Sequence, residues 1–187
     1  DREGVDCAPF VYIMLHKPGG LLSATQDKKQ ATVLDLLPEH LRRRGLFPVG
    51  RLDKDTEGLL IVTDAGALSH ALMSPARHVS KVYEAEIEGE MAKDAVQRFA
   101  QGMTLKDGTV CRPAKLEHVP AACGQCVRIT LQEGKYHQVK RMLAARGKPV
   151  LYLKRLSMGP LELDPELVTG GWRPLTEEER KRLKELE

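Results

Sequence analysis

Long apolar runs are missing from this chain. No stretch of its 187 residues approaches the roughly 20 apolar residues of a membrane-spanning helix. It opens "DREGVDCAPF", without the apolar core of a secretory leader. The chain therefore reads as soluble and intracellular, with the cytoplasm as its expected compartment and no membrane partner. Cysteine is sparse: Cys7, Cys111, Cys123 and Cys126. The pair in "CGQC" has no second close pair to complete a zinc site. It precedes the alternating strand "VRITL", whereas a redox pair opens a helix after a strand. Gly124 and Gln125 read as turn residues instead. Glycine motifs of the Walker or dinucleotide type are also missing. No metal and no small-molecule cofactor is expected.

One absence is local. Between Gly134 and Leu161 there is no Asp or Glu, while Lys135, Lys140, Arg141, Arg146, Lys148, Lys154 and Arg155 all fall inside. Acidic runs lie elsewhere, at Glu84 to Glu90 and Glu177 to Glu179. The net charge is only +3, yet segregated charge makes a local positive field. Nucleic-acid phosphate suits such a field. A solvated helix face explains the same composition.

The 42% apolar content supports a globular core. The length points to one domain, read here as residues 10–187 with two lobes, about 10–75 and 76–187. "FVYIML", Phe10 to Leu15, reads as a strand ended by "KPGG". Short helices are expected at Thr32 to Leu37 and in "EHLRRRG". A buried strand follows at Gly58 to Thr63 and a helix from Ala67 to about Met73. "KVYEAEIE" alternates, which puts Lys81, Tyr83, Ala85 and Ile87 inward and the glutamates outward. An amphipathic helix is expected over Ala92 to Gln101, with Ala92, Ala95, Val96, Phe99 and Ala100 on its apolar stripe. Hairpins follow at Asp107-Gly108 and from about Lys115 to Leu131, the second with Val127, Ile129 and Leu131 inward. A helix from about His137 to Arg146 precedes the strand "VLYLKRL". Thr176 and Glu179 form a capping box for a last helix. Short hairpins among mixed elements indicate an α+β fold with a mixed, mainly antiparallel sheet flanked by helices.

Three places could carry chemistry. In "GRLDKDTEG", Arg51 and Asp53 share a side if the chain is extended. An arginine beside a drying carboxylate keeps it ionised. A surface ion pair near a turn accounts for the same residues. Asp55 and Asp64 read as turn residues. Tyr83 is either a core residue or a stacking platform for a base. In "GKYHQVKRMLAARGK", helical spacing brings His137, Lys140 and Arg141 onto one face, away from Val139, Met142 and Leu143.

Together these stretches resemble the pseudouridine synthase family. "GRLDKDTEGLLIVTDAG" is similar to its G-R-L-D, T-x-G-L-L signature. "KVYEAEI" resembles the second motif, "GKYHQVKRML" the third, and "YIMLHKPGG" the K-P-x-G segment. All four come in the family's order and spacing, over about Phe10 to Leu175. Lys140 in "HQVKRM" matches the RsuA/RluB/RluE/RluF branch, and "GGWRPLTEEE" resembles its small-subunit member most. The resemblance implies an active-site cleft across the sheet and isomerisation of a uridine in ribosomal RNA, small-subunit RNA first. It implies Asp53 as nucleophile, with Tyr83 and Lys140 as its catalytic partners. It implies RNA contacts from Arg51, Lys17, Lys81, Lys135, His137, Gln138 and Arg141. The partner implied is ribosomal RNA or a ribosome assembly intermediate, met by a monomer. Residues 1–9 read as a leftover linker from an S4-type module that is missing or absent. The alternatives are large-subunit RNA, a non-catalytic RNA-binding module, and a hydrolase pairing Asp53 with Asp55 or Glu57.

Overall fold

Period-two alternation and short turns dominate the sequence, and a sheet dominates the fold. The computed structural model describes residues 10–119, 125–135 and 137–187. The linker 1–9 and the Cys123-Gly124 half of the "CGQC" turn lie outside the described residues.

Strand β1 (Tyr12–Lys17) runs to a 3-10 turn at Val33–Leu36 and the short helix α1 (Glu39–Arg42). Strands β2 (Phe47–Pro48) and β3 (Glu57–Thr63) precede helix α2 (Gly66–Met73). Then come β4 (Lys81–Ile87), α3 (Ala95–Gln101), β5 (Met103–Thr104) and β6 (Val110–Cys111). The hairpin β7 (Lys115–Val119) and β8 (Gln125–Leu131) leads to α4 (Gln138–Ala145) and β9 (Val150–Met158). The chain closes with β10 (Leu161–Glu162), β11 (Trp172–Pro174) and α5 (Glu177–Lys184).

Among the described residues, nine strands form one sheet in the order β11-β1-β3-β9-β4-β8-β7, with β2 on β3 and β10 on β9. Strands β5 and β6 make a separate ribbon. Pairing is antiparallel except where β3 meets β9, with Glu57 opposite Lys154 and Gly58 opposite Arg155. The fold is thus α+β with a mixed, mainly antiparallel sheet. Gly58 makes that parallel junction possible. Its φ is +112°, and a Cβ there would lie 2.2 Å from the Arg155 carbonyl oxygen. Only glycine lets the two backbones meet so closely.

The core divides in a way that chain order does not suggest. One cluster joins β4, β7, β8 and β9 to α3 and α4, through Ala85, Phe99, Ile129, Met142 and Leu143. The next combines Met14, Leu59 and Ile61 with Met158, Leu175 and Leu183 from the chain's end. A third holds Ile13, Leu15, Val33, Leu60 and Val62. A lobe boundary near residue 75 is therefore corrected: β11 pairs with β1, and α5 packs on the amino-terminal half. The first strand lies two residues later than expected, because Phe10 is exposed while Leu15, His16 and Lys17 are buried. Helix α3 starts at Ala95 and not at Ala92, and its buried line is Met91, Ala95 and Phe99. Ala92, Val96 and Ala100 face solvent. The helix covers one flank of β7, so a single line of side chains suffices.

Candidate active site

The turn carrying Asp53 sits between the buried strand β3 and the segment after β1, and both sides pin it. Before Asp53, the buried Ser23 hydroxyl bonds both ways with Leu52. It donates to the Leu52 carbonyl and accepts from the Leu52 N–H, each at 3.1 Å. Within the turn, the Thr56 N–H donates to the Asp53 carbonyl at 3.0 Å. After Asp53, the Gly20 N–H donates to the Lys54 carbonyl at 2.8 Å. The Lys17 ammonium then donates to the carbonyls of Pro18 (2.9 Å), Lys54 (2.9 Å) and Thr56 (2.8 Å). Lys17 is wholly buried. Burial pushes its ammonium down to about 8, against the pull of Asp55, Glu57 and Asp53. Three carbonyl acceptors meet the three donors of an ammonium, which is what a buried lysine requires.

The Asp53 carboxylate is about a quarter exposed, and its two oxygens are divided between two bases. The His137 Nε2 lies 3.1 Å from Oδ1 and the Lys140 Nζ lies 3.2 Å from Oδ2. Both come from the first turn of α4, which stands over the carboxyl end of this loop. Lys140 also holds the exposed Asp55 at 2.6 Å. Its hydrogen bond keeps the Asp55 carboxyl below the ordinary range. Desolvation works to lower the Lys140 ammonium, but the bonds to Asp55 and Asp53 outweigh it and raise it. His137 caps α4 with a left-handed backbone, φ 47° and ψ 37°. Such a conformation is uncommon for a residue with a side chain, and it aims the imidazole back at the turn.

Tyr83 completes the site. It lies opposite Ile129 of β8 and Arg155 of β9, and it packs against two of the three core clusters. Asp53, Tyr83 and Lys140 line one hollow over β4, β8 and β9 with Leu52, Thr56 and His137. The hollow is small, about 80 Å³, beside about 530 Å³ for a groove past His16. Its converging charged and aromatic groups distinguish it, not its size.

Other expected residues divide. Arg51, Lys135, His137 and Gln138 lie on the hollow. Lys135 reaches the Val110 carbonyl, and Arg141 pairs with Asp107 beside the β5–β6 ribbon. Lys17 is corrected from an RNA contact to a buried clamp of the turn. Gln138 is buried: its amide donates to Glu133 at 2.7 Å and accepts from the Lys135 N–H at 3.0 Å, which holds it against the protein. Lys81 points inward beside Gly134, and burial lowers its ammonium. The acid-free stretch is not one basic surface. Arg146 pairs with Asp94, Arg155 is buried on the Leu59 carbonyl, and Lys154 lines the groove past His16 on the opposite face of the sheet. Thr56 and Ser23 escaped notice in the sequence. Thr56 had a signal, as the threonine of T-x-G-L-L.

The family model for RNA pseudouridylate synthase matches residues 11–145. The chain is 47% identical over 184 residues to an RNA pseudouridine synthase of Bacillus subtilis, YtzG, covering 98% of this chain and 77% of that one. It is 45% identical over 172 residues to ribosomal small subunit pseudouridine synthase A of Pseudomonas aeruginosa, covering 91% and 73%. Its fold matches a crystal structure of a pseudouridylate synthase with a TM-score of 0.85 and 36% identity, covering 94% and 74%.

Proposed function

Given that the chain belongs to the RNA pseudouridylate synthase family and is an isomerase of that class, we propose that it converts a uridine of small-subunit ribosomal RNA to pseudouridine, with Asp53 as nucleophile. The supporting observation is the Asp53 carboxylate between His137 and Lys140 in the hollow that Tyr83 lines. The substrate follows the relative in Pseudomonas aeruginosa, whose name assigns it to the small ribosomal subunit.

The reaction breaks the bond from N1 of uracil to the sugar and makes one from C5. C5 loses a hydrogen and N1 gains one. Nothing is oxidised or reduced, so carboxylate, cations and shape suffice. Extruding the uridine costs a few kcal/mol, least where the RNA is loosely structured. Stacking on Tyr83 returns about 1–3 kcal/mol. Exposed cations at the mouth, Arg51 and Lys135, meet phosphate. Asp53 attacks as a carboxylate, and Lys140 holds it in place. The pinned turn keeps it aimed, so little is spent on ordering during the reaction.

The test is incubation with unmodified small-subunit ribosomal RNA, free and in part-assembled subunits, followed by carbodiimide-stop mapping. One new stop at a single uridine, with no change in RNA mass, is expected. A missing base points to the hydrolase. Stops only in large-subunit RNA, run in parallel, move the substrate to that RNA.

A further inference from the structure

Among the described residues, the buried hydroxyls of Ser23 and Thr63 have partners. Ser23 bonds Leu52, and Thr63 donates to the Val11 carbonyl at 2.6 Å. Thr56 is the exception. It is 2% exposed, and its Oγ1 has no hydrogen-bond partner among the described residues. Its main chain is fully used: the N–H goes to Asp53 and the carbonyl takes the Lys17 ammonium. Backbone freedom cannot relieve the hydroxyl. Other buried atoms lack partners as well, on His16, Arg128, Arg146 and Arg155, but none of those residues lines the Asp53 hollow, and Thr56 does.

Burying an unmet hydroxyl is unfavourable, and valine would fill the same space without it. Packing therefore gives no reason for threonine here. We propose that the Thr56 hydroxyl, closed off beneath the wall of the hollow, hydrogen-bonds the polar edge of the extruded uracil once the base enters and the wall gives way, an inference that rests on assigning the hollow to uridine. A hydroxyl both donates and accepts, and it rotates freely. It can bond a ring carbonyl in one orientation and a ring N–H in another. That property suits a base that must turn between leaving through nitrogen and rejoining through carbon. Thr56 stands three residues from Asp53 in the same pinned turn, so the contact and the nucleophile keep a fixed spacing.

The test compares wild type, Thr56→Val, Thr56→Ser and Asp53→Asn on the same small-subunit RNA. Single-turnover rate, RNA affinity and melting temperature are measured for each. Thr56→Val should slow the single turnover by about tenfold, the effect of one lost hydrogen bond. Its RNA affinity should stay within about twofold, since phosphate dominates binding. Its melting temperature should hold or rise, and Thr56→Ser should recover the rate. A full rate in Thr56→Val overturns the inference. So does a fall in its melting temperature in step with its rate, or no recovery in Thr56→Ser, because either marks a structural brace. A wild type that makes no pseudouridine while binding the RNA overturns the functional assignment itself.

Discussion

Lysine carries much of this site, in two different ways. Lys140 is a counter-ion held between two carboxylates at the surface, Asp53 and Asp55. Lys17 is a buried clamp whose ammonium gathers two carbonyls of the Asp53 turn, Lys54 and Thr56, and that of Pro18. The clamp has a pH signature. Burial lowers the Lys17 ammonium from 10.5 to about 8, so between those limits the unfolded chain binds more protons than the folded one. Stability then rises with pH across that window, and below about pH 8 the full penalty of the buried charge applies. Urea midpoints should climb from pH 8 to pH 10, and Lys17→Met should flatten the climb while lowering stability throughout. An equal climb in both proteins would show that Lys17 is not the titrating group. Asp53, Tyr83 and Lys140, each read from its own motif, line one hollow. Lys17 and Gln138 looked alike to RNA-facing residues, since a charged or polar side chain shows its destination only when its neighbours are in place.

At the scale of elements, the meeting of β3 and β9 sets the geometry. Gly58 lies against the Arg155 backbone directly after the Asp53 turn, with φ at +112°. Gly58→Ala combines backbone strain with a steric clash and should cost roughly 3 kcal/mol or more. A chemical denaturation curve would show it, and activity should fall further than stability because the turn loses its anchor. A Gly58→Ala protein of unchanged midpoint would refute this role. The buried strand was evident from "GLLIVT", whose unbroken apolar run is covered on both faces. Its parallel partner was not, as pairing across about a hundred residues leaves no local pattern. Helix α3 was drawn too long for a related reason. Its stripe of Ala92, Val96 and Ala100 is apolar in sequence, yet these three residues face solvent while Ala95 and Phe99 turn to the core. Likewise the left-handed His137 is invisible in composition, although its imidazole reaches Asp53.

Across the whole molecule, the chain's end is structural. The family match stops at residue 145, but β9 and β11 lie in the sheet beyond it, and Leu175 and Leu183 sit in a core cluster with Met14. Ending the chain at Val168 removes the β11 ladder and two buried leucines, a loss of roughly 5 kcal/mol. That rivals the total stability of an ordinary domain. The truncated protein should lack a cooperative melting transition. A sharp transition near that of the intact chain would show that the two halves of the core are independent. The α+β class was legible from hairpins and alternation, whereas the division of the core was not. A lobe boundary near residue 75 follows chain order, and the returning carboxyl end does not.

Every scale converges on one carboxylate. The most direct measurement is Asp53→Asn, a substitution that keeps size but removes the charge of the proposed nucleophile. Pseudouridine is assayed in a single turnover on small-subunit RNA, with circular dichroism and RNA affinity measured on the same preparation. A native spectrum, RNA binding within about threefold of wild type, and no pseudouridine are expected. Pseudouridine formed at the wild-type rate by a folded Asp53→Asn protein would contradict Asp53 as nucleophile.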